Sequence, residues 1–192
     1  MVVISSKLTL AEYLAYSDGT DARYELVQGE LVAMAQPTGI HGGISEFIND
    51  AFRSEIKRLS LPLVSKQELI AVQTTFISSK ITCRIPDVTV ISVEQWEAIK
   101  FSEAVLKETA PLLVVEVVSD TSRSIDYRKK RIEYNAIEIP EYWIVDYSER
   151  KISVLSLKND LYEEVIYTDQ NEIQSQLFPE LILTPRGIFT IF

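Results

Sequence analysis

The sequence predicts one mixed α/β domain arranged around a sheet. Three observations carry this reading. A branched apolar run from Leu112 is followed by a basic helical segment and a second apolar run ending at Asp146, the pattern of strand, crossover helix and strand. Pairs of alternating segments joined by turn residues lie on either side of this unit and read as β-hairpins. Finally, Ile44, Phe47, Ile48, Ala51, Phe52, Ile56 and Leu59 recur at helical spacing and give the clearest amphipathic helix of the first half.

The elements follow in order. Thr9 to Glu12 has capping-box form and predicts a short helix from Leu10 to about residue 17. Two alternating runs around Gln28 and Gly29 form a hairpin, and the glycine-rich residues 37–43 form a loop. Residues 63–77 and 84–91 read as strands joined by Ser78, Ser79 and Lys80. A short helix covers residues 94–100, and residues 102–110 are a polar link. Beyond the central unit, two alternating segments around Lys158, Asn159 and Asp160 predict another hairpin, and short apolar segments surround Pro179 and Pro185. This gives a single domain over residues 1–192, with a core at about 40–146, an N-terminal helix and hairpin at 8–36, and a C-terminal hairpin and tail at 150–192.

Composition narrows the class. With 46% hydrophobic and 24% charged residues, the chain is an ordinary globular protein with enough apolar content for a core. No apolar stretch reaches the roughly 18 residues of a membrane span, and no secretion signal is visible, so no membrane partner is expected. A single cysteine, Cys83, excludes an internal disulfide and points to a cytoplasmic setting. The net charge of −9 opposes broad, non-specific nucleic-acid binding. The exception is a compact basic patch of Arg123, Arg128, Lys129, Lys130 and Arg131, which could hold a polyanion locally.

The chemistry centres on Glu116. Alternation puts Leu112, Val114, Glu116 and Val118 on one face of a strand and Leu113, Val115 and Val117 on the other. With both faces otherwise apolar, the strand is central, and an ionised carboxylate there needs a metal ion or a cation beside it. Asp87 begins another β-branched run just after Pro86, near a strand end. Two such carboxylates on neighbouring strands can serve one magnesium ion, with water and substrate phosphate filling its remaining positions. Phosphodiester hydrolysis also benefits from a cation near the reacting phosphate. Two residues after Glu116 stands Val118, so no lysine comes from that strand. Asp126, Lys130 and Tyr134 repeat at four-residue spacing and share a helix face, which offers Lys130 as the cation and Asp126 as its holder.

This order of residues is Pro86-Asp87, then Glu116 to Ser119, then Asp126, Lys130 and Tyr134, then Glu141 to Asp146. It resembles the Uma-type restriction-endonuclease family of the PD-(D/E)XK nuclease superfamily. Tyr24 to Leu31, with Pro37 and His41 behind it, is similar to the family's N-terminal signature. The resemblance spans roughly residues 8–178. It implies a restriction-endonuclease-like α+β core: a mixed central sheet flanked by helices, with additional N- and C-terminal hairpins. It also implies Asp87 and Glu116 as catalytic metal ligands, the Val117 carbonyl as a third ligand, and Lys130 as a catalytic lysine moved from strand to helix. Glu30 and His41 match recurring N-terminal positions and are implied at the edge of the site. Where members often read Ser-Pro-Ser after the glutamate, this chain has Ser119, Asp120, Thr121 and Ser122.

The expected function is a magnesium-dependent endonuclease acting on DNA or structured nucleic acid, with manganese as a substitute ion. Arg123 and Arg128 are candidates to grip neighbouring phosphates. One site cuts one strand, so duplex cleavage calls for a homodimer. The alternative is a catalytically silent nucleic-acid or protein interaction module on the same fold.

Overall fold

The computed structural model describes residues 7–75, 81–119 and 122–190; Ser78, Ser79 and Lys80 of the expected strand connection lie outside them. The described residues form two mixed sheets with flanking helices, where the sequence predicted one sheet. The division has a local cause. The apolar stretch expected at 63–77 is broken at Glu68, whose φ of +44° turns the backbone out of the extended region. It therefore yields β3 (Leu63–Gln67) and β4 (Ala71–Thr75), which enter different sheets.

The first two strands, β1 (Tyr24–Val27) and β2 (Glu30–Ala33), form the expected hairpin. Gln28 and Gly29 have φ of +53° and +83°, the two left-handed positions that a tight hairpin turn requires. A Cβ on Gly29 would lie 2.6 Å from Lys7 Cβ, so this glycine is needed for space as well as for conformation. The hairpin is not an appendage. Leu26 pairs with Cys83 of β5 (Thr82–Arg84), and β5 pairs with β4, so the hairpin is part of a five-stranded sheet. That sheet is completed by β7 (Val105–Leu106), parallel to β4, in what reads as a polar link. Val105 and Leu106 are buried, and this burial compensates for the brevity of the strand.

The larger sheet has six strands in the order β11-β10-β9-β8-β6-β3. Its centre consists of β6 (Val88–Ser92), β8 (Leu113–Val117) and β9 (Glu141–Asp146). β8 runs antiparallel to β6 and parallel to β9, as the strand–helix–strand reading requires. The hairpin of β10 (Lys151–Lys158) and β11 (Leu161–Thr168) extends this sheet by pairing β10 with β9.

The helices are α1 (Leu10–Leu14), α2 (Gly39–Leu59), α3 (Val93–Ile99), α4 (Arg131–Ala136) and α5 (Pro185–Phe189). The 21-residue α2 starts earlier than expected and absorbs most of the glycine-rich stretch. Thr38 caps it by accepting the His41 N–H at 3.3 Å. Residues Ile44, Ile48 and Phe52 of α2 pack against Val88, Val90, Leu113, Val115, Val117 and Trp143. On the opposite face, Val114, Val118, Tyr142 and Ile144 meet Tyr134 and Ile139. The alternation expected for the Glu116 strand is thus realised, with Glu116 on the α4 side. No helix among the described residues is long and apolar enough to cross a membrane.

Candidate active site

Glu116 is buried in the middle of the sheet, 3% exposed, and both of its oxygens are engaged. Tyr134 donates its hydroxyl to Oε1 at 2.5 Å, and the Lys130 Nζ lies 2.7 Å from Oε2. Asp126 Oδ1 is 3.2 Å from the same ammonium. The Asp126 carboxylate makes no hydrogen bond among the described residues, so charge attraction is its tie to Lys130. The sequence reading placed Asp126, Lys130 and Tyr134 on one helical face. The structure brings them together through a π-helical turn over Ile125–Lys130 that runs directly into α4. Such widened turns recur at functional sites.

Electrostatics follow from burial. Desolvation raises the Glu116 carboxyl well above its ordinary range, against the pull of the Lys130 ammonium. Burial alone would lower Lys130, but Glu116 and Asp126 outweigh it and hold the lysine above its ordinary value, fully charged at neutral pH. Tyr134 is raised well above the usual phenol range, by burial first and by the Glu116 charge second. It is therefore a hydrogen-bond donor and not a phenolate.

Asp87 lies just before β6, on the strand beside Glu116, and accepts the Val117 N–H at 2.6 Å. The same oxygen, Oδ2, is 3.4 Å from His41 Nε2 in the first turn of α2. Burial works to lower the His41 pKa, but the hydrogen bond and charge of Asp87 prevail and raise it. A hydrogen bond to the Val117 backbone adds to the effect. The other imidazole nitrogen, Nδ1, is buried without a hydrogen-bond partner among the described residues.

The break between β3 and β4 supplies a further acid. The Glu68 N–H donates to the Asp87 carbonyl at 3.0 Å, which fixes one backbone against the other. One ligand atom from each of His41, Glu68 and Asp87 lies within 4.8 Å of the other two, which makes them a donor group able to hold a metal ion. Nitrogen plus carboxylate oxygens suit manganese at least as well as magnesium, which prefers oxygen alone. Glu116 stands outside this trio, because its oxygens face Lys130 and Tyr134.

A cavity of about 560 Å³ joins these parts, with Glu25, His41, Glu68, Asp87, Glu116, Val117, Asp126 and Lys130 in its wall. Glu25, on β1, is anchored by Arg84, which is only 2% exposed. Arg84 Nη1 donates to Glu25 Oε2 at 2.8 Å, and its other nitrogens grip Glu133 of α4 at 2.7 and 2.8 Å. This buried arginine ties the small sheet to the helix that carries Lys130.

Three expected site residues lie elsewhere. Glu30 is exposed beside the hairpin turn, opposite Val27, and does not line the cavity; Glu25 of the same hairpin does. Arg123 is bound to Asp146 and lies 3.1 Å from Glu149, so its charge is already committed. Arg128 is exposed, outside the cavity, and without an ion pair among the described residues. The sequence reading missed Glu25, Glu68 and Arg84. Glu68 left a signal, a polar interruption in an apolar run. Glu25 and Arg84 left none, since their pairing spans 59 residues.

The mixed sheets, flanking helices and buried carboxylate cluster define a nuclease-like α+β protein. The crystal structure of a "putative nuclease belonging to DUF820" from Anabaena variabilis shares this fold, with a TM-score of 0.76 over 95% of this chain and 98% of that one. At 19% identity the likeness is one of fold alone. Residues 10–186 match the model of the Uma2 family, described as "Putative restriction endonuclease", and the chain belongs to that family. It is also 28% identical over 151 residues to the "Uncharacterized protein sll1609" of Synechocystis sp., covering 76% of this chain and 79% of the relative.

Proposed function

We propose that this protein is a magnesium- or manganese-dependent endonuclease that hydrolyses phosphodiester bonds of DNA. The observation that carries the proposal is the buried Lys130 ammonium, held by Glu116 and Asp126 in the same cavity as Asp87 and its metal-competent neighbours. A structural ion pair alone would not call for a second carboxylate, a histidine and a cavity beside it.

In this reading Asp87 is the central metal ligand. The Val117 carbonyl offers a donor from the adjoining strand, His41 and Glu68 offer them from α2 and the β3–β4 break, and Glu116, held by Tyr134, anchors the Lys130 ammonium beside them. A divalent ion bound there would polarise the scissile phosphoryl group and acidify its bound water. Lys130 supplies fixed positive charge for the developing pentacovalent centre, with Asp126 keeping the ammonium in position. Tyr134 holds Glu116 through its hydroxyl. Cleavage of both strands of a duplex would use two such sites in a two-fold dimer.

The test is incubation with supercoiled, linear, single-stranded and branched DNA in Mg2+ or Mn2+. Cleavage is expected to vanish in EDTA and in Asp87→Asn, and to slow by roughly a hundred- to a thousandfold in Lys130→Ala. Unchanged cutting by Lys130→Ala would remove the lysine from the mechanism. Firm Mn2+ binding with no cleavage of any substrate would favour the interaction-module alternative.

A further inference from the structure

The cavity carries a charge imbalance that a phosphodiester would meet on entry. Asp21, Glu25, Glu68, Asp87, Glu116 and Asp126 line it, against Arg23 and Lys130 as its lysine and arginine side chains among the described residues. Lys130 is already committed to two carboxylates, and its side chain is only 10% exposed. Arg23 is 43% exposed at the cavity rim. Its Nη1 rests 2.9 Å from Glu68 Oε2, and its Nη2 donates to the Glu68 carbonyl. Glu68 also belongs to the donor group with His41 and Asp87. One carboxylate is therefore shared between the accessible cation and the metal-competent cluster.

We infer that Arg23 is the phosphate clamp of this site, and that Glu68, on turning to a divalent ion, releases Arg23 to the phosphodiester. The inference rests on the nuclease reading and assigns that site its contact with the substrate backbone. A partly exposed ion pair contributes little to stability, so the exchange is inexpensive. The planar guanidinium suits phosphate through two parallel hydrogen bonds, which a lysine ammonium cannot reproduce.

The experiment measures binding of a short fluorescent DNA duplex by anisotropy, with Ca2+ present to occupy the metal site without turnover. Arg23→Ala is expected to weaken binding about ten- to a hundredfold, the loss of a charge-assisted contact. It should also lower the salt dependence by about one phosphate contact. Arg23→Lys should recover part of the affinity. Arg53→Ala, which removes an exposed arginine paired with Asp50 on α2, should leave affinity unchanged. In EDTA, Glu68→Gln should bind the duplex more tightly than wild type, and this gain should disappear when Arg23→Ala is added. An equal gain in both backgrounds would reflect simple removal of negative charge and would overturn the exchange. Wild-type affinity in Arg23→Ala would overturn the clamp. Failure of the wild type itself to bind DNA would instead sink the nuclease reading, and the clamp with it.

Discussion

Replacing Lys130 with methionine isolates the electrostatics of the site from its catalysis. The substitution keeps an unbranched apolar stem and deletes the ammonium between Glu116 and Asp126. Those carboxylates are only 3% and 1% exposed, so water cannot take over from the lost cation. Removing one partner of a buried, hydrogen-bonded charge pair costs about 3–5 kcal/mol, because the other charge stays behind unpaired. Tyr134 still serves one oxygen of Glu116, but a single neutral donor does not replace a cation. The loss depends on pH with a definite sign. The folded Glu116 pKa is raised from 4.5 to about 8, so the folded state binds the proton more tightly than the unfolded chain. Protonation removes the stranded charge. The destabilisation is therefore smallest below 4.5 and grows as pH rises through the folded Glu116 pKa, which loss of the Lys130 ammonium lifts above its wild-type value of about 8. Urea denaturation in EDTA, followed by fluorescence of the buried Trp143, measures it. Adding Glu116→Gln to Lys130→Met should restore about 1–3 kcal/mol, the coupling expected of residues in contact. A Lys130→Met stability within about 1 kcal/mol of wild type at a pH above this folded Glu116 pKa would refute the argument, because that is the range of exposed pairs.

Three other outcomes are expected. Mn2+ should raise the thermal midpoint of the wild type and not of Asp87→Asn, and its affinity should increase as pH rises through the raised His41 pKa, because the imidazole must lose its proton to ligate; calorimetric titration across pH checks both. Phe52→Ala should cost about 3–5 kcal/mol in denaturant, since the ring is fully buried with its centroid 5.3 Å from Trp143 and 5.0 Å from Phe178. Cys83 should resist alkylation in the native protein and react on unfolding, because burial, reinforced by Glu25, pushes its thiol up to about 12.

The sequence by itself determined those features that depend on near neighbours along the chain. Period-two alternation put Glu116 on the α4 face of a central strand, and four-residue spacing gathered Asp126, Lys130 and Tyr134 around it. The hairpins at Gln28-Gly29 and Asn159-Asp160 were equally legible, because a left-handed turn leaves a local composition mark. Only the tertiary structure decided what depends on where distant segments meet. The backbone turn at Glu68 divides one expected sheet into two and carries that carboxylate to Asp87 and His41. The Arg84 bridge selects Glu25 over Glu30 as the hairpin's acid at the cavity, and Asp146 withdraws Arg123 from any substrate. Periodicity records which face a residue occupies. It does not record what comes to lie opposite that face, and in this protein those opposing partners set the charge of the site.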